Sequence, residues 1–211
     1  MIDAAERLIA EEGLGAVSLR EVATSAGQRN HSAVQYHFGS RAGLVEAVFD
    51  ARMRPIDERR AVMLAELEAS DHPDELWALC EVVVRPLGEA VLLGPPGWYG
   101  RFLAEVQRSE PGLLAVERPA TASLDRAGIL MVEHMDAVPV GLRPERLRLA
   151  LVAAITLLAD RERARPPEPD ASDRAAAEAF VVLLTDLVHA MVGAAPSAAL
   201  GTARRAPSTS S

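Results

Sequence analysis

A window of the sequence from Thr24 to Leu44 contains no carboxylate, although the chain as a whole is acidic. The chain carries 30 Asp and Glu residues against 22 basic residues, which gives a formal net charge of -8. The window instead supplies side chains that donate or accept hydrogen bonds: Gln28, Arg29, Asn30, His31, Ser32, Gln35, Tyr36, His37 and Arg41. Phosphates repel carboxylates, and base edges are read by directional donors and acceptors. The composition of this window therefore favours a surface that faces nucleic acid.

Residues 196–211 also lack carboxylates, so the elements around the window must support this interpretation. Residues 2 to 12 place apolar side chains on one face at helical spacing, and Gly13 is a natural end for that helix. The sequence from Ser18 to Glu21 is a capping box, which predicts a second helix that starts at residue 19 and stops near Gly27.

A third short helix is predicted from about residue 30 to residue 38. Gly39 and Ser40 then separate it from a longer helix that begins at Arg41. Two short helices joined by a glycine-containing turn outline a helix-turn-helix. The apolar residues that would hold the pair together are Val22, Ala26, Val34 and Phe38. Periodicity alone leaves an ordinary helical corner with a polar surface as the alternative.

The rest of the chain is predicted to be helical throughout. Several segments between residues 73 and 192 have the length and spacing of helices, with Pro or Gly between them. No stretch alternates convincingly with period two, and aromatic residues make up only 4% of the chain, so no sheet is expected. Residues 163–172 form a Pro-rich connector between the last two helices, and residues 196–211 are expected to be a disordered tail.

Two stretches, LREVATSAG at residues 19–27 and AVQYHFGSRAGLVEAVF at residues 33–49, closely resemble the DNA-binding region of TetR-type transcriptional repressors. The resemblance covers roughly residues 2 to 50, and its most specific part runs from Tyr36 to Arg41. It implies an all-α protein with a three-helix helix-turn-helix DNA-binding domain over residues 1–45. It also implies a larger helical domain for effector binding and dimerisation over residues 46–195.

The resemblance implies that Tyr36, His37 and Arg41 bind the sugar-phosphate backbone of DNA, while side-chain chemistry makes Gln35 the best candidate for a base contact. Gln35 lies inside the third helix, the recognition helix, and its amide can bond adenine bidentately. Arg41 begins the next helix, where its charge adds to the positive end of the helix dipole at a phosphate. The turn before the recognition helix is one residue longer than is usual in the family. The complete set of predicted DNA contacts is Ser18, Arg29, Asn30, His31, Ser32, Ala33, Gln35, Tyr36, His37 and Arg41.

Three of these residues also have purely structural interpretations. Ser18 caps a helix whether or not it touches DNA. The alternative for Tyr36 is a place in the core, and the alternative for His37 is to cap a helix carbonyl. The other predicted contacts follow from position. His31 and Ser32 begin the recognition helix, Ala33 suits a thymine methyl, and Arg29 in the turn suits a phosphate or a guanine.

In TetR-type proteins the helices beyond the DNA-binding unit enclose a small-molecule pocket. Aromatic and Met side chains make apolar and adaptable walls, and His134 or Glu105 is suited to orient a polar group of the effector. The predicted effector residues are Trp77, Cys80, Trp98, Tyr99, Phe102, Met131, His134 and Met135. For each of them the alternative is a place in an ordinary hydrophobic core.

The last two helices, around residues 150–159 and 179–192, have wider apolar faces than the surface helix of a monomer. Packing this pair against its two-fold mate would give a four-helix bundle. The predicted interface residues are Leu151, Ile155, Leu158, Phe180, Leu184, Leu187, Val188 and Met191. The alternative is that both are central helices of a monomer.

Other chemistry has little support in the sequence. Cys80 is the only cysteine, and neither the Asp186/His189 pair nor the Glu133–His134 pair has the cluster that a metal requires, so no metal or other cofactor is expected. There is no phosphate-binding glycine loop and no nucleophile elbow. The first residues form no secretory signal and no run reaches about 18 apolar residues, so a soluble cytoplasmic protein without a membrane partner is expected.

The sequence thus predicts a homodimeric, ligand-responsive repressor that binds a palindromic double-stranded DNA operator and is released by a small apolar effector. A constitutive DNA-binding protein without an effector is one alternative, and a small helical enzyme is the other.

Overall fold

A computed structural model describes residues 1–28, 36, 38–71, 75–110, 112 and 119–197. Among these residues, none lies in a β-strand. The α-helices are α1 (Ile2–Glu12), α2 (Leu19–Ser25), α3 (Arg41–Glu68), α4 (Leu76–Gly88), α5 (Tyr99–Ser109), α6 (Ala122–Glu133), α7 (Arg143–Arg163) and α8 (Ala171–Gly193). The prediction of an all-α protein is confirmed. The predicted tail falls outside the described residues from residue 198 onward.

Local sequence signals set the ends of the first two helices. Gly13 follows α1 with a φ of 89°, and its N–H donates to the carbonyl oxygen of Ile9 at 3.1 Å. Ser18 caps α2, because its Oγ accepts from the backbone N–H of Glu21 at 3.2 Å and its own N–H donates to the Glu21 carboxylate at 2.8 Å. These hydrogen bonds hold the pKa of Glu21 below its ordinary value. The predicted capping box is confirmed.

The start of α3 is set by Gly39 and Ser40. Gly39 has a φ of 65°, and the Ser40 Oγ accepts from the N–H of Gly43 at 3.0 Å. A Cβ at Gly43 would lie 2.2 Å from the carbonyl oxygen of Phe38, so only glycine fits this close approach. The helix then continues past residues 45 and 46, where the two domains were predicted to divide, and so belongs to both predicted units.

One continuous hydrophobic core extends from α1 to α8. The helix α5 lies at its centre and packs against both α1 and α7, while α4 packs against α3, α6 and α8. Phe102 and Leu103 of α5 are buried in the same core as Ile9 of α1 and Val48 of α3. The N-terminal helices α1 and α2 and the larger helical region therefore share one core around α3 and α5.

The helix α8 is apolar on two sides. Val181, Leu184, Val188 and Val192 point into the core at helical spacing. By length and composition alone this helix could cross a membrane, but the core helix of a soluble protein meets the same criteria. The connector before it, which runs between Arg163 and Ala171, lies where the Pro-rich sequence predicted it.

Candidate DNA-binding surface and effector core

The turn that leads out of α2 contains Gly27, which adopts a φ of 67°. The N–H of Gln28 then donates to the carbonyl oxygen of Ala23 at 2.9 Å, which turns the chain back across the end of α2. The predicted contacts Arg29, Asn30, His31, Ser32, Ala33, Gln35 and His37 lie outside the described residues. Their roles remain predictions.

Tyr36 and Phe38 are the two described residues of the predicted recognition helix. Both are helical, the Tyr36 side chain is 87% exposed, and Phe38 is half-buried against the hydrophobic core. The exposure of Tyr36 removes the alternative that it is a core residue. Phe38 packs against the hydrophobic core, and the contact of Tyr36 with DNA stays a prediction.

Ser18 and Arg41 are both exposed on the protein surface. The guanidinium of Arg41 donates to the carbonyl oxygen of Leu14 at 3.3 Å and is 3.5 Å from that of Gly15. Arg41 therefore holds the loop between α1 and α2 against the start of α3. The predicted contact of Arg41 with a phosphate at this helix N-terminus stays a prediction.

Ion pairs between one arginine of α3 and two carboxylates of α1 hold these helices together. Arg52 of α3 donates from Nε to the carboxylate of Glu6 at 2.5 Å and from Nη2 to Asp3. Burial opposes the charge of Arg52, but these two carboxylates raise its pKa above the ordinary value. Because Glu6 is buried, this contact fixes the angle between α1 and α3 more firmly than an exposed ion pair would.

The helix α1 is also bound to α5, through Glu6 and Glu105. The second oxygen of Glu6 accepts from the backbone N–H of Trp98, just before α5, at 3.2 Å. Glu105 of α5 accepts from the N–H of Leu14 at 2.9 Å. Sequence reasoning suggested that Glu105 could orient a polar group of the effector, and this stays a prediction; in the structure its carboxylate bonds the loop between α1 and α2.

Replacing Glu105 with glutamine is expected to lower the free energy of unfolding by about 1 kcal/mol at neutral pH. Burial opposes the carboxylate, but the Leu14 N–H, Arg108 and Ser109 hold the pKa of Glu105 below its ordinary value of 4.5. The stabilisation is therefore present above that value and is lost as the pH falls through the folded-state pKa. Thermal unfolding across this pH range should show the difference between wild type and variant disappear in acid.

The matched control is Glu145→Gln. Glu145 pairs with Arg148 at 2.7 Å, at the spacing and distance at which Glu105 pairs with Arg108, but the side chain is exposed and holds no other helix. This variant should cost almost nothing, because an exposed ion pair contributes little. Equal losses from the two glutamine variants would contradict the docking role of Glu105.

Five of the eight predicted effector residues lie in the buried core, and three lie at its edge. Trp77 donates from its indole N–H to the Asp186 carboxylate at 2.8 Å, on the surface between α4 and α8. Trp98 is half-buried beside Glu6, and His134 ends α6 with its Nδ1 2.8 Å from the carbonyl oxygen of Leu130. The buried residues are Cys80, Tyr99, Phe102, Met131 and Met135.

The buried set is packed rather than open. Tyr99 and Phe102 stack with their ring centroids 5.9 Å apart. Burial raises the pKa of the Cys80 thiol to about 12, so this cysteine is a small apolar group and not a nucleophile. A pocket of about 80 Å³ beside the α7–α8 connector and an open groove at the start of α2 lie away from these residues.

A buried polar centre lies where α3, α4 and α6 meet, and the sequence did not predict it. Arg60 donates from Nη1 to Asp57 at 2.7 Å and from Nη2 to the carbonyl oxygen of Val83 at 3.4 Å. Asp57 also accepts from the N–H groups of Ser123 and Leu124 at 2.9 and 3.0 Å, at the start of α6. One carboxylate therefore serves both a buried guanidinium and a helix N-terminus.

The predicted dimer residues divide between two faces. Leu158, Leu184 and Val188 are buried inside the protomer, so their assignment to an interface is wrong: their side chains are already covered by its own helices. Leu187 and Met191 are exposed, and Leu151, Ile155 and Phe180 are partly buried. The exposed apolar residues of α7 and α8, here called the outer face, are Leu149, Leu157, Val182, Leu183, Leu187 and Met191.

Within the described ranges, no group of three or more His, Cys, Asp or Glu side chains is placed to hold a metal ion. Asp186, which the sequence offered as a possible ligand with His189, instead accepts the hydrogen bond from Trp77.

Residues 1–48 match the family described as bacterial regulatory proteins, tetR family. No curated protein matches the chain. The fold is similar to the crystal structure of a TetR family transcriptional regulator, PfmR from Thermus thermophilus, at 19% sequence identity and a TM-score of 0.51. That likeness covers 88% of this chain and 96% of the other. The N-terminal region thus matches the tetR family of bacterial regulatory proteins, and the described helices share the fold of a TetR family transcriptional regulator.

Proposed function

We propose that this regulator is a cytoplasmic homodimeric repressor that binds a palindromic operator and is released by a small-molecule effector. The observation that carries this proposal is the attachment of α1 to α5 through Glu6 and Glu105. A change in the core around α5 moves the DNA-binding unit through these contacts. An effector that favours one position of α5 over another then shifts the protein between binding and released states.

The outer face supports a dimer. Leu183, Leu187 and Met191 repeat along α8 at helical spacing, on the side away from the core. Exposed apolar side chains that repeat along one side of a helix favour an interaction site, and a two-fold pairing of α7 and α8 would cover them with the same residues of a second copy. A dimer presents two recognition helices about 34–36 Å apart, one turn of DNA, which matches a palindrome.

A constitutive DNA-binding protein without an effector is the second candidate. It is favoured by the dense packing of Phe102, Met131 and Met135, each fully buried in the protomer. The two candidates differ in whether any small molecule changes operator affinity. An enzyme has no comparable support, because the described residues offer no assembled nucleophile and base.

Selection of bound sequences from random DNA, carried out with the full chain, tests the core of the proposal. The expected result is an inverted repeat with half-sites about one helical turn apart. A selected sequence without two-fold symmetry would contradict the dimeric mode of binding, and no enrichment at all would contradict operator recognition.

Within the selected operator, Gln35→Ala is expected to weaken binding by about 1–3 kcal/mol. Affinity should fall for the operator sequence and not for unrelated DNA, because the amide of Gln35 is proposed to read one base pair in each half-site. Binding to a panel of operators with single substitutions should therefore show relaxed preference at one position. Unchanged affinity and preference would remove Gln35 from the base contacts.

Arg41→Ala gives the contrasting result for a phosphate contact. It should weaken binding to all sequences alike and reduce the dependence of log affinity on log salt by about one for each phosphate that is no longer neutralised. Arg54, an exposed arginine further along α3, supplies the matched control, and Arg54→Ala should leave the salt dependence unchanged. Equal salt dependence in all three proteins would contradict a phosphate contact at Arg41.

A further inference from the structure

The small pocket beside the connector between α7 and α8 carries a surplus of positive charge. Its volume is about 80 Å³, and its charged lining residues are Arg161, Arg165, Arg174 and Asp173. Three arginines and one aspartate leave a surplus of two positive charges around one cavity. The chain as a whole has a formal net charge of -8, so this concentration of arginine runs against the overall composition.

Arg165 attaches the connector to the chain that precedes α5. Its Nη1 donates to the carbonyl oxygen of Val91 at 3.2 Å, and its Nη2 donates to that of Gly94 at 2.5 Å. These two bonds fix the guanidinium beside the pocket, and they use only some of its N–H donors. Burial lowers the pKa of Arg165, Glu162 opposes this shift, and the nearby charge of Arg174 adds to it. Arg165 is therefore held in place with donors to spare.

The other two arginines make no hydrogen bond or ion pair with another residue in the part of the chain that the structure describes. The guanidinium of Arg161 lies 5.8 Å from the centroid of the Phe180 ring, a contact that orients it without using its N–H donors. Arg174 is the fourth residue of α8, close to the helix end where the dipole disfavours a positive charge. The stability of α8 does not account for an arginine there.

The carboxylates near the pocket are engaged elsewhere. Asp173 accepts from the backbone N–H of Asp170 at 3.0 Å and so completes the capping box of α8. Glu162 is buried and accepts from the backbone N–H groups of Gly100 and Arg101 at 3.0 and 2.9 Å. It also pairs with the Arg101 side chain at 3.3 Å. These side chains therefore leave the charge of the lining arginines uncompensated.

The remaining walls are apolar and stiff. Leu92 and Ala177 are buried, and Pro166 and Pro169 come from the connector, where the proline rings fix the backbone. A cavity of about 150 Å³ accepts benzene, so a pocket of about half that volume suits a compact group such as a tetrahedral oxyanion. Because Arg174 is exposed, the pocket reaches the protein surface, and a group attached to the oxyanion can extend into solvent.

We propose that this pocket binds a phosphate group, either free phosphate or the phosphate of a small organic molecule, through Arg161, Arg165 and Arg174. A phosphate monoester carries a charge of roughly −1.5 to −2 at neutral pH, which matches the surplus at the pocket. Guanidinium groups also suit phosphate oxygens, because their N–H donors can bond two oxygens at once. The site uses none of the predicted effector or DNA-contact residues, so the inference stands independently of the proposed function.

Isothermal titration calorimetry of the full chain with inorganic phosphate tests the site. The expected result is saturable binding of one phosphate per chain, absent when sodium chloride is titrated at the same ionic strength. Saturation distinguishes a site from the general exclusion by which phosphate stabilises folded proteins. Glycerol 3-phosphate is titrated second. Tighter binding than phosphate assigns the ligand to a phosphate ester, and equal or weaker binding assigns it to free phosphate.

Arg174→Gln should weaken phosphate binding by about tenfold to a hundredfold, because a charge-assisted hydrogen bond is lost. The side chain is exposed, so the ligand-free melting temperature should not fall. Arg161→Gln, on the other helix, should weaken binding in the same direction. Arg163→Gln is the matched control, since it removes the same charge from an exposed arginine that pairs with Asp160 at 3.4 Å and does not line the pocket. This control should bind phosphate as wild type does.

The inference is overturned if phosphate shows no saturable binding beyond that of chloride at the same ionic strength. Unchanged phosphate affinity in both Arg174→Gln and Arg161→Gln would also overturn it. An equal loss of affinity in Arg163→Gln would reduce the effect to net charge and remove the site. None of these results bears on operator selection, so the proposed function is tested separately.

Discussion

Replacing Asp57 with alanine is expected to lower the free energy of unfolding by about 3–5 kcal/mol, the cost of breaking a buried ion pair by removing one partner. Arg60 is buried with Asp57 as its counter-ion at 2.7 Å, and the substitution leaves the guanidinium charged and uncompensated. The N-terminus of α6 loses its acceptor at the same time. Urea denaturation followed by circular dichroism measures the difference.

An exposed ion pair provides the control for this variant. Arg126 lies 3.4 Å from Glu68, with the two side chains 57% and 47% exposed. Glu68→Ala should therefore cost less than about 1 kcal/mol. The double variant Asp57→Ala/Arg60→Met should recover part of the loss, because an apolar side chain of similar length has no charge to leave unpaired. An Asp57→Ala protein as stable as Glu68→Ala would contradict the buried pair.

The sequence predicted the ends of helices well because those ends depend on neighbouring residues. The box formed by Ser18 and Glu21 satisfies two backbone N–H groups within a single turn. Gly39 and Ser40 act in the same local way, one through a left-handed φ and the other through a cap. Such signals need no tertiary contact, and they predicted the start of α2 and the start of α3 correctly.

The polar centre escaped prediction because its burial depends on distant elements. Asp57 and Arg60 lie in a run of charged residues, IDERR at 56–60, that is typical of a solvated helix face. They are buried only because α4, α5 and α6 close over this part of α3. The same limit applies to Glu105, whose partner Leu14 lies 91 residues earlier in the chain.

The two faces of α8 illustrate a different limit. Periodicity identified an apolar helix, but it could not say which of two apolar stripes turns inward. Leu184 and Val188 face the core, whereas Leu183 and Leu187, each one residue earlier, lie on the outside. The choice is made by packing against α4 and α7, which a single helix does not encode.

Replacing Leu187 with arginine is expected to convert a dimer into folded monomers and to abolish tight operator binding. The side chain is 43% exposed in the protomer, so the substitution leaves the protomer core intact. In a two-fold dimer built on the outer face it would bury two unpaired charges, at a cost of several kcal/mol. A monomer presents one recognition helix and reads only half of a palindrome. Sedimentation velocity and operator binding report the two effects.

Two further arginine substitutions serve as controls for Leu187→Arg, one outside the outer face and one in the core. Val140→Arg changes another exposed apolar residue, between α6 and α7 and outside the outer face, and should remain dimeric. Leu184→Arg introduces the charge at a side chain that is 1% exposed, and should unfold the protomer itself, which circular dichroism would detect. A Leu187→Arg protein that stays dimeric and binds its operator normally would show that the outer face serves another purpose. Its helical content must match wild type for the loss of dimer to count in favour of the interface.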